Sequence, residues 1–218
     1  LIDDLKSFSG KEETIAYSRQ SFEYASCLPP STHNLPPHRE FVNRKREKAR
    51  IIKALNSNNI PLVIVDGLGG MGKTVLAIDI AYDCIDRKLN TINYPFQYCI
   101  FISAKSKNIS IEDFLDEIAR ELDYPYICQK TSPSDKPREV YRLLQSHRVL
   151  LVVDNFETIQ DANIGQYLEN IPEPSKAIIT TRIITGIKNP WRVTLEGLNK
   201  KDAIKLIRNR AKGHDIQS

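Results

Sequence analysis

The chain has 218 residues, a length that accommodates one α/β domain with a substantial core. Hydrophobic residues make up 41% and charged residues 27%, the balance of an ordinary globular protein rather than a disordered chain. The net charge of +4, from 31 Lys and Arg against 27 Asp and Glu, is too small to argue for a nucleic-acid or membrane surface. No apolar run approaches the ~18 residues of a membrane-spanning helix, and no signal-peptide pattern opens the chain.

Cys27, Cys84, Cys99 and Cys128 show no CxxC spacing, and three of them lie within or beside apolar runs. Reduced, buried thiols in a cytoplasmic protein are expected. Residues 1–26 are polar with scattered apolar positions, interrupted by Gly10. Residues 27–37 contain Pro29, Pro30, Pro36 and Pro37, which exclude a regular helix and suggest a linker. A helix is predicted over 39–55, with Phe41, Ile51, Ile52 and Leu55 on its apolar side.

Strands and helices then alternate. Residues 62–66 form a short β-branched run ended by glycines, and 73–89 follow with helical spacing of Leu76, Ile80, Cys84 and Ile85. A second strand is predicted over 98–103. Ser110 can cap a helix reaching Leu122, with Glu112 and Asp113 in its first turn, where the dipole favours anions. Residues 125–137, rich in Pro, Ser and Lys, read as a surface loop before a helix over 138–145. Further strands are expected at 149–154, 177–181 and 192–195. Apolar strands separated by helices indicate a parallel sheet covered on both faces.

Gly67-Leu68-Gly69-Gly70-Met71-Gly72-Lys73-Thr74 matches G-x-x-x-x-G-K-[ST] in full. Chance alone would produce those four fixed positions in roughly one chain in a hundred of this length. Here the motif also stands between a strand and an amphipathic helix. Glycines let successive amides turn toward phosphate oxygens, and the helix that starts near Lys73 adds its positive end. Lys73 is expected to reach the β- and γ-phosphates, and the Thr74 hydroxyl to ligate Mg²⁺. Gly67, Gly69 and Gly72 also fit the dinucleotide fingerprint G-x-G-x-x-G. That reading requires an acidic residue at the end of the second strand, where this chain has Ser103-Ala104-Lys105.

Asp154 ends a run of five apolar residues, so a strand would carry it to the sheet's carboxyl edge beside the P-loop as a metal carboxylate. Asn155 follows and cannot accept a proton as a base. Glu157 could position the attacking water instead, and slow hydrolysis is expected. Arg182, just past the strand at 177–181, could report the γ-phosphate. The basic residues Arg44, Lys45, Arg46, Lys48 and Arg50 suit a solvated helix face better than a nucleic-acid surface, because few aromatics interleave them. Trp191 suits packing, and His33, His38, His147 and His214 lack metal-ligand spacing.

With the P-loop, Val153-Asp154-Asn155-Phe156-Glu157 and Ile179-Thr180-Thr181-Arg182 in this order, the chain resembles the STAND-class NTPases, and among them the NB-ARC type. Phe41-Val42-Asn43-Arg44-Lys45-Arg46-Glu47 is similar to that family's upstream hydrophobic-hydrophobic-Gly-Arg-Glu-x-Glu motif. Asn43 stands in place of the Gly and Lys45 in place of the first Glu. The resemblance implies a P-loop NTPase three-layer sandwich with a five-stranded parallel sheet in the order 5-1-4-3-2. It implies that Val42 and Arg44 lie against adenine and ribose. Gly67, Gly69, Gly70, Met71, Gly72, Lys73, Thr74 and Val75 would hold the phosphates of ATP or ADP, and Thr74 with Asp154 would hold Mg²⁺.

The resemblance also implies an ATP/ADP switch that controls self-association of a longer signalling or defence protein, with effector and sensor domains in cis. The expected organisation is an N-terminal segment and linker over 1–37, the nucleotide-binding domain over 38–198, and the start of a helical lid over 199–218. The chain opens without Met and closes inside a basic helix-like stretch, so one module of a longer polypeptide is expected. Two rival functions stand beside the switch: a P-loop ATPase acting on DNA, and an ADP-binding interaction module that does not hydrolyse.

Overall fold

The structure is a computed structural model that describes residues 32–37, 44–85, 92, 95–105, 108–129, 134–183, 187–188, 190–198, 200, 203–204 and 208. Six parallel strands form one sheet: β1 (Thr32–His33), β2 (Leu62–Asp66), β3 (Tyr98–Ser103), β4 (Val149–Asp154), β5 (Lys176–Thr181) and β6 (Trp191–Thr194). Their spatial order is β1-β3-β4-β5-β2-β6. Among the described residues, five α-helices are bounded: α1 (Lys45–Leu55), α2 (Lys73–Ile85), α3 (Ile111–Glu121), α4 (Asp135–Ser146) and α5 (Ala162–Glu169).

Strand alternation builds two cores, one on each face of the sheet. Leu62 and Ile64 of β2, Ile100 and Ile102 of β3, and Leu151 and Val153 of β4 pack with Phe114, Ile118, Val140, Leu144, Ile164 and Leu168 of α3, α4 and α5. The intervening Val63, Val65, Cys99, Leu150 and Val152 face Ile51, Leu55, Leu76, Ile80 and Cys84 of α1 and α2. Both faces of β2 and β4 are therefore covered, which is why these strands read as uninterrupted apolar runs. The arrangement is the expected three-layer sandwich. The five strands foreseen from the sequence keep the order 5-1-4-3-2, seen here as β6-β2-β5-β4-β3.

The sixth strand is a correction. Residues 32–37, read as linker, add a short edge strand. Thr32 and His33 pair with Tyr98 and Cys99 of β3, and Asn34 extends the attachment with its side chain: its Oδ1 accepts from the Phe101 amide at 2.6 Å, and its Nδ2 donates to the Phe101 carbonyl at 3.3 Å. Leu35 is buried beside it, and Tyr82 of α2 donates its hydroxyl to the Pro36 carbonyl.

The stretch read as a loop over 125–137 also differs. A 3₁₀ turn spans Pro125–Gln129 and buries Ile127. Helix α4 begins at Asp135, so Pro137 falls in its first turn, where a missing N–H costs no helical hydrogen bond. Helix α5 was not foreseen, although Asp161 caps it and Ile164, Tyr167 and Leu168 follow helical spacing. Helix α3 matches expectation, with Ser110 and Asp113 forming a reciprocal capping box. The predicted starts and ends of the helices at 39–43 and 86–89 lie outside the described residues, as do Cys27 and Val42. Cys84 and Cys99 are buried free thiols, as expected, and burial pushes both thiols up; Cys128 is half-buried. Among the described residues, no helix is long and apolar enough to cross a membrane.

Candidate functional site

The site is assembled at the carboxyl edge of the sheet, where open α/β folds place ligands. Strand β2 runs into the glycine loop, and the loop runs into α2. Gly67, Gly70 and Gly72 have φ of 142°, 77° and 86°, values that side-chain-bearing residues rarely adopt. Gly67 has a second constraint: a Cβ there would stand 2.5 Å from the Leu195 carbonyl oxygen. The first turn of α2 holds no acidic residue, so no carboxylate of its own competes for the helix's positive end.

Lys73 is folded back over the loop. Its Nζ donates to the carbonyls of Gly67 at 2.8 Å and Leu68 at 2.9 Å. Burial lowers its pKa, as does the nearby Arg182 charge, while Glu157, Asp154 and Asp66 oppose the shift. Thr74, one residue on, donates its hydroxyl to Asp154 Oδ1 at 2.6 Å. Strand β4 brings Asp154 there almost fully buried. Thr180 of the adjacent β5 donates to the same oxygen at 2.5 Å, and Asn155 Nδ2 donates to Oδ2 at 2.8 Å. Asn155 has a left-handed backbone, φ 56°, and its amide donates to Thr180 Oγ1.

Arg182 and Glu157 are engaged with each other. The Arg182 Nε lies 3.1 Å from Glu157 Oε1, and the Arg182 amide donates to Oε2 at 3.2 Å. The Glu157 side chain is largely buried, while the Arg182 side chain is 60% exposed and its guanidinium stands over the glycine loop, 3.8 Å from where a Gly69 Cβ would be. Met71 packs its side chain against the α1/α2 core, and Val75 is half-buried in the first turn of α2.

Arg44, at the start of α1, reaches the far end of the loop. Its buried guanidinium donates to the Met71 carbonyl at 3.0 Å, the Glu196 carbonyl at 2.8 Å and Glu47 Oε1 at 3.1 Å. Sequence reasoning thus missed three participants: Thr180 as a donor to Asp154, Asn155 as its amide partner, and the Leu195–Glu196 main chain against the loop. The period-two pattern of β5 could have placed Thr180 at the edge. Nothing in sequence spacing announces a main-chain acceptor 152 residues from Arg44.

The donor set suits a magnesium nucleotide. A hydroxyl and a carboxylate 2.6 Å apart form a hard, all-oxygen pair. Among the described residues no group of three or more His, Cys, Asp or Glu could hold a metal by protein ligands alone.

Known proteins agree with this architecture. The chain is 29% identical over 194 residues to the transcription activator GutR of Bacillus subtilis, an alignment covering 80% of this chain and 22% of that protein. It is 25% identical over 217 residues to the disease resistance protein UNI of Arabidopsis thaliana, covering 92% of this chain and 23% of that one. The chain therefore spans less than a quarter of either relative. Among solved structures, the ADP form of the Aeropyrum pernix ORC2 protein superposes with a TM-score of 0.56 at 17% identity, over 84% of this chain and 56% of that one. A Walker-type ATPase of Pyrococcus abyssi gives 0.54 at 14% identity, over 87% and 63%. Those likenesses establish the P-loop NTPase fold. The NB-ARC domain model matches residues 44–216, most of the chain, and the protein belongs to the NB-ARC family.

Proposed function

We propose that this chain is the nucleotide-responsive core of a longer regulator, binding ATP or ADP with Mg²⁺ and hydrolysing ATP slowly. The observation that carries the reading is the meeting of Lys73, the Thr74–Asp154 pair and Arg182 around one glycine loop. Lys73 would exchange its two carbonyl partners for phosphate oxygens, a change its position over the loop allows without moving the helix. Thr74 and Asp154 would hold Mg²⁺, which supplies charge neutralisation between the phosphates. Thr180 and Asn155 keep the Asp154 carboxylate oriented. Val42 is the candidate for the base side, and Gly67, Gly69, Gly70, Met71, Gly72 and Val75 for the phosphate cradle.

Slow turnover follows from the side chains that could activate water. Asn155 is an amide whose nitrogen is turned to Asp154. Glu157 has both oxygens committed to Arg182, so it serves as a base only when Arg182 lets go. Arg182, exposed over Gly69, is placed to be drawn toward a γ-phosphate, coupling phosphate recognition to release of the base.

The relatives support a regulatory setting: one is named a transcription activator and another a disease resistance protein, and both are over four times as long as the segment they share with this chain. In the proposed cycle, ADP holds a closed form and ATP permits self-association through domains in cis, in the cytoplasm. The test is mass spectrometry of nucleotide carried through purification, with steady-state turnover measured beside it. ADP retained by the wild type and lost in Lys73→Ala, with turnover far below the roughly ten per second of an ordinary enzyme, is the expected result. DNA-stimulated turnover at tens per second would favour an ATPase working on DNA. Retained ADP with no turnover at all would favour a purely structural nucleotide.

A further inference from the structure

The glycine loop is laced to the segment that follows β6 at both of its ends. At the start, the Leu195 amide donates to the Asp66 carbonyl at 2.7 Å, and the Leu195 carbonyl oxygen lies 2.5 Å from where a Gly67 Cβ would stand. At the far end, the link is Arg44. Its side chain is only 5% exposed, and a single terminal nitrogen, Nη2, donates to Met71 of the loop and to Glu196 of the exit segment, while Nη1 is held by Glu47. A guanidinium is a planar fork of fixed donors, so movement of either carbonyl must be followed by the other or break a buried, charge-assisted hydrogen bond. Breaking one leaves a buried donor unsatisfied, which the fold resists.

The loop, meanwhile, is held in its present hydrogen-bonding by Lys73 on Gly67 and Leu68. Any anion that recruits the ammonium releases both carbonyls, at the very residue that touches Leu195.

We infer that Arg44 is a positioning residue that relays the loop's ligand state to the chain leaving β6, tying Met71 to Glu196 so that the two move together. This rests on the reading of the loop as a nucleotide site and goes beyond it by naming the route by which occupancy is reported. The same geometry accounts for an arginine at the start of α1 without a capping role: Arg44 occupies the N-cap position, yet its side chain caps nothing.

The experiment is backbone hydrogen exchange of residues 195–198 with and without Mg·ADP, beside calorimetric ADP binding, in the wild type, Arg44→Met and Arg44→Lys. In the wild type, ADP slows exchange there by about fivefold or more, the lower end of ordinary site-to-site coupling. In Arg44→Met, ADP still slows exchange within residues 67–74 but the slowing at 195–198 is lost. Arg44→Lys, a point charge that cannot reproduce the fork, keeps the fold and loses most of the response. ADP binding to Arg44→Met with the full response at 195–198 overturns the inference and leaves the nucleotide site standing. If Arg44→Met fails to fold or to bind, Arg44→Lys decides: binding without response supports the relay, and binding with the full response overturns it. A wild type that binds no ADP overturns the nucleotide reading and the relay together.

Discussion

Gly67 shows most clearly how one position can carry several constraints. Its φ of 142° disfavours any side chain, and a methyl group would also meet the Leu195 carbonyl at 2.5 Å. Strain and overpacking each cost about 1–3 kcal/mol, so Gly67→Ala is expected to lower the melting temperature by roughly 5–15 °C in a chain of this size. Gly70→Ala, whose methyl would meet open space, should lose only the conformational part, about 1–2 kcal/mol. Thermal melts of the two variants check the ranking, and equal losses would mean that the Leu195 contact does not matter. The sequence disclosed Lys73, Thr74 and Asp154 because local patterns announce them: a glycine motif and an apolar run ending in a carboxylate. Arg44 and Thr180 were not disclosed in their roles, because their partners lie on the main chain or on a neighbouring strand, and only the register of the sheet brings them together.

The same distinction separates elements that were legible from those that were not. Strands β2, β4 and β5 announce themselves because burial on both faces leaves apolar residues in their centres. β1 has two residues, and the attachment is continued beyond them by the Asn34 side chain imitating a backbone, so no periodicity could reveal it. That attachment is testable. Asn34→Ala leaves the Phe101 amide and carbonyl without those partners, at a cost of about 1–2 kcal/mol, and its Phe101 amide should exchange markedly faster than in the wild type. Unchanged exchange would show that the edge does not need Asn34.

Helices α1 and α2 are joined by Lys48, whose ammonium meets Asp79 at 2.6 Å and Asp83 at 2.5 Å. Partial burial opposes its charge, but hydrogen bonds and attraction from both carboxylates prevail and raise its pKa above the ordinary 10.5. A raised pKa in the folded state contributes stability that is complete below 10.5 and is lost as pH climbs through the folded value. Lys48→Met should therefore cost about 1 kcal/mol in urea at pH 8, a figure kept small by solvent screening, and less at a pH above the folded pKa. A difference that grows with alkaline pH contradicts the assignment.

At the scale of the whole molecule, the sheet converts five short sequence signals into one site, since the glycine loop, Asp154, Thr180, Arg182 and Leu195 reach the same edge only because β2, β4, β5 and β6 are parallel and staggered in register. Ligand binding should consequently stabilise the whole domain rather than the loop alone. A ligand at a hundred times its dissociation constant adds about 2.7 kcal/mol, which corresponds to a rise in melting temperature of roughly 5–10 °C here. Mg·ADP should produce that rise in the wild type and none in Lys73→Ala. Chelating Mg²⁺ should reduce the rise given by ATP in the wild type but change little in Thr74→Ala, which has already lost the hydroxyl of the Thr74–Asp154 pair. The comparison separates two failures: a rise that persists in Lys73→Ala places the nucleotide elsewhere on the molecule, and a rise in Thr74→Ala that keeps its sensitivity to chelation places the metal away from Asp154.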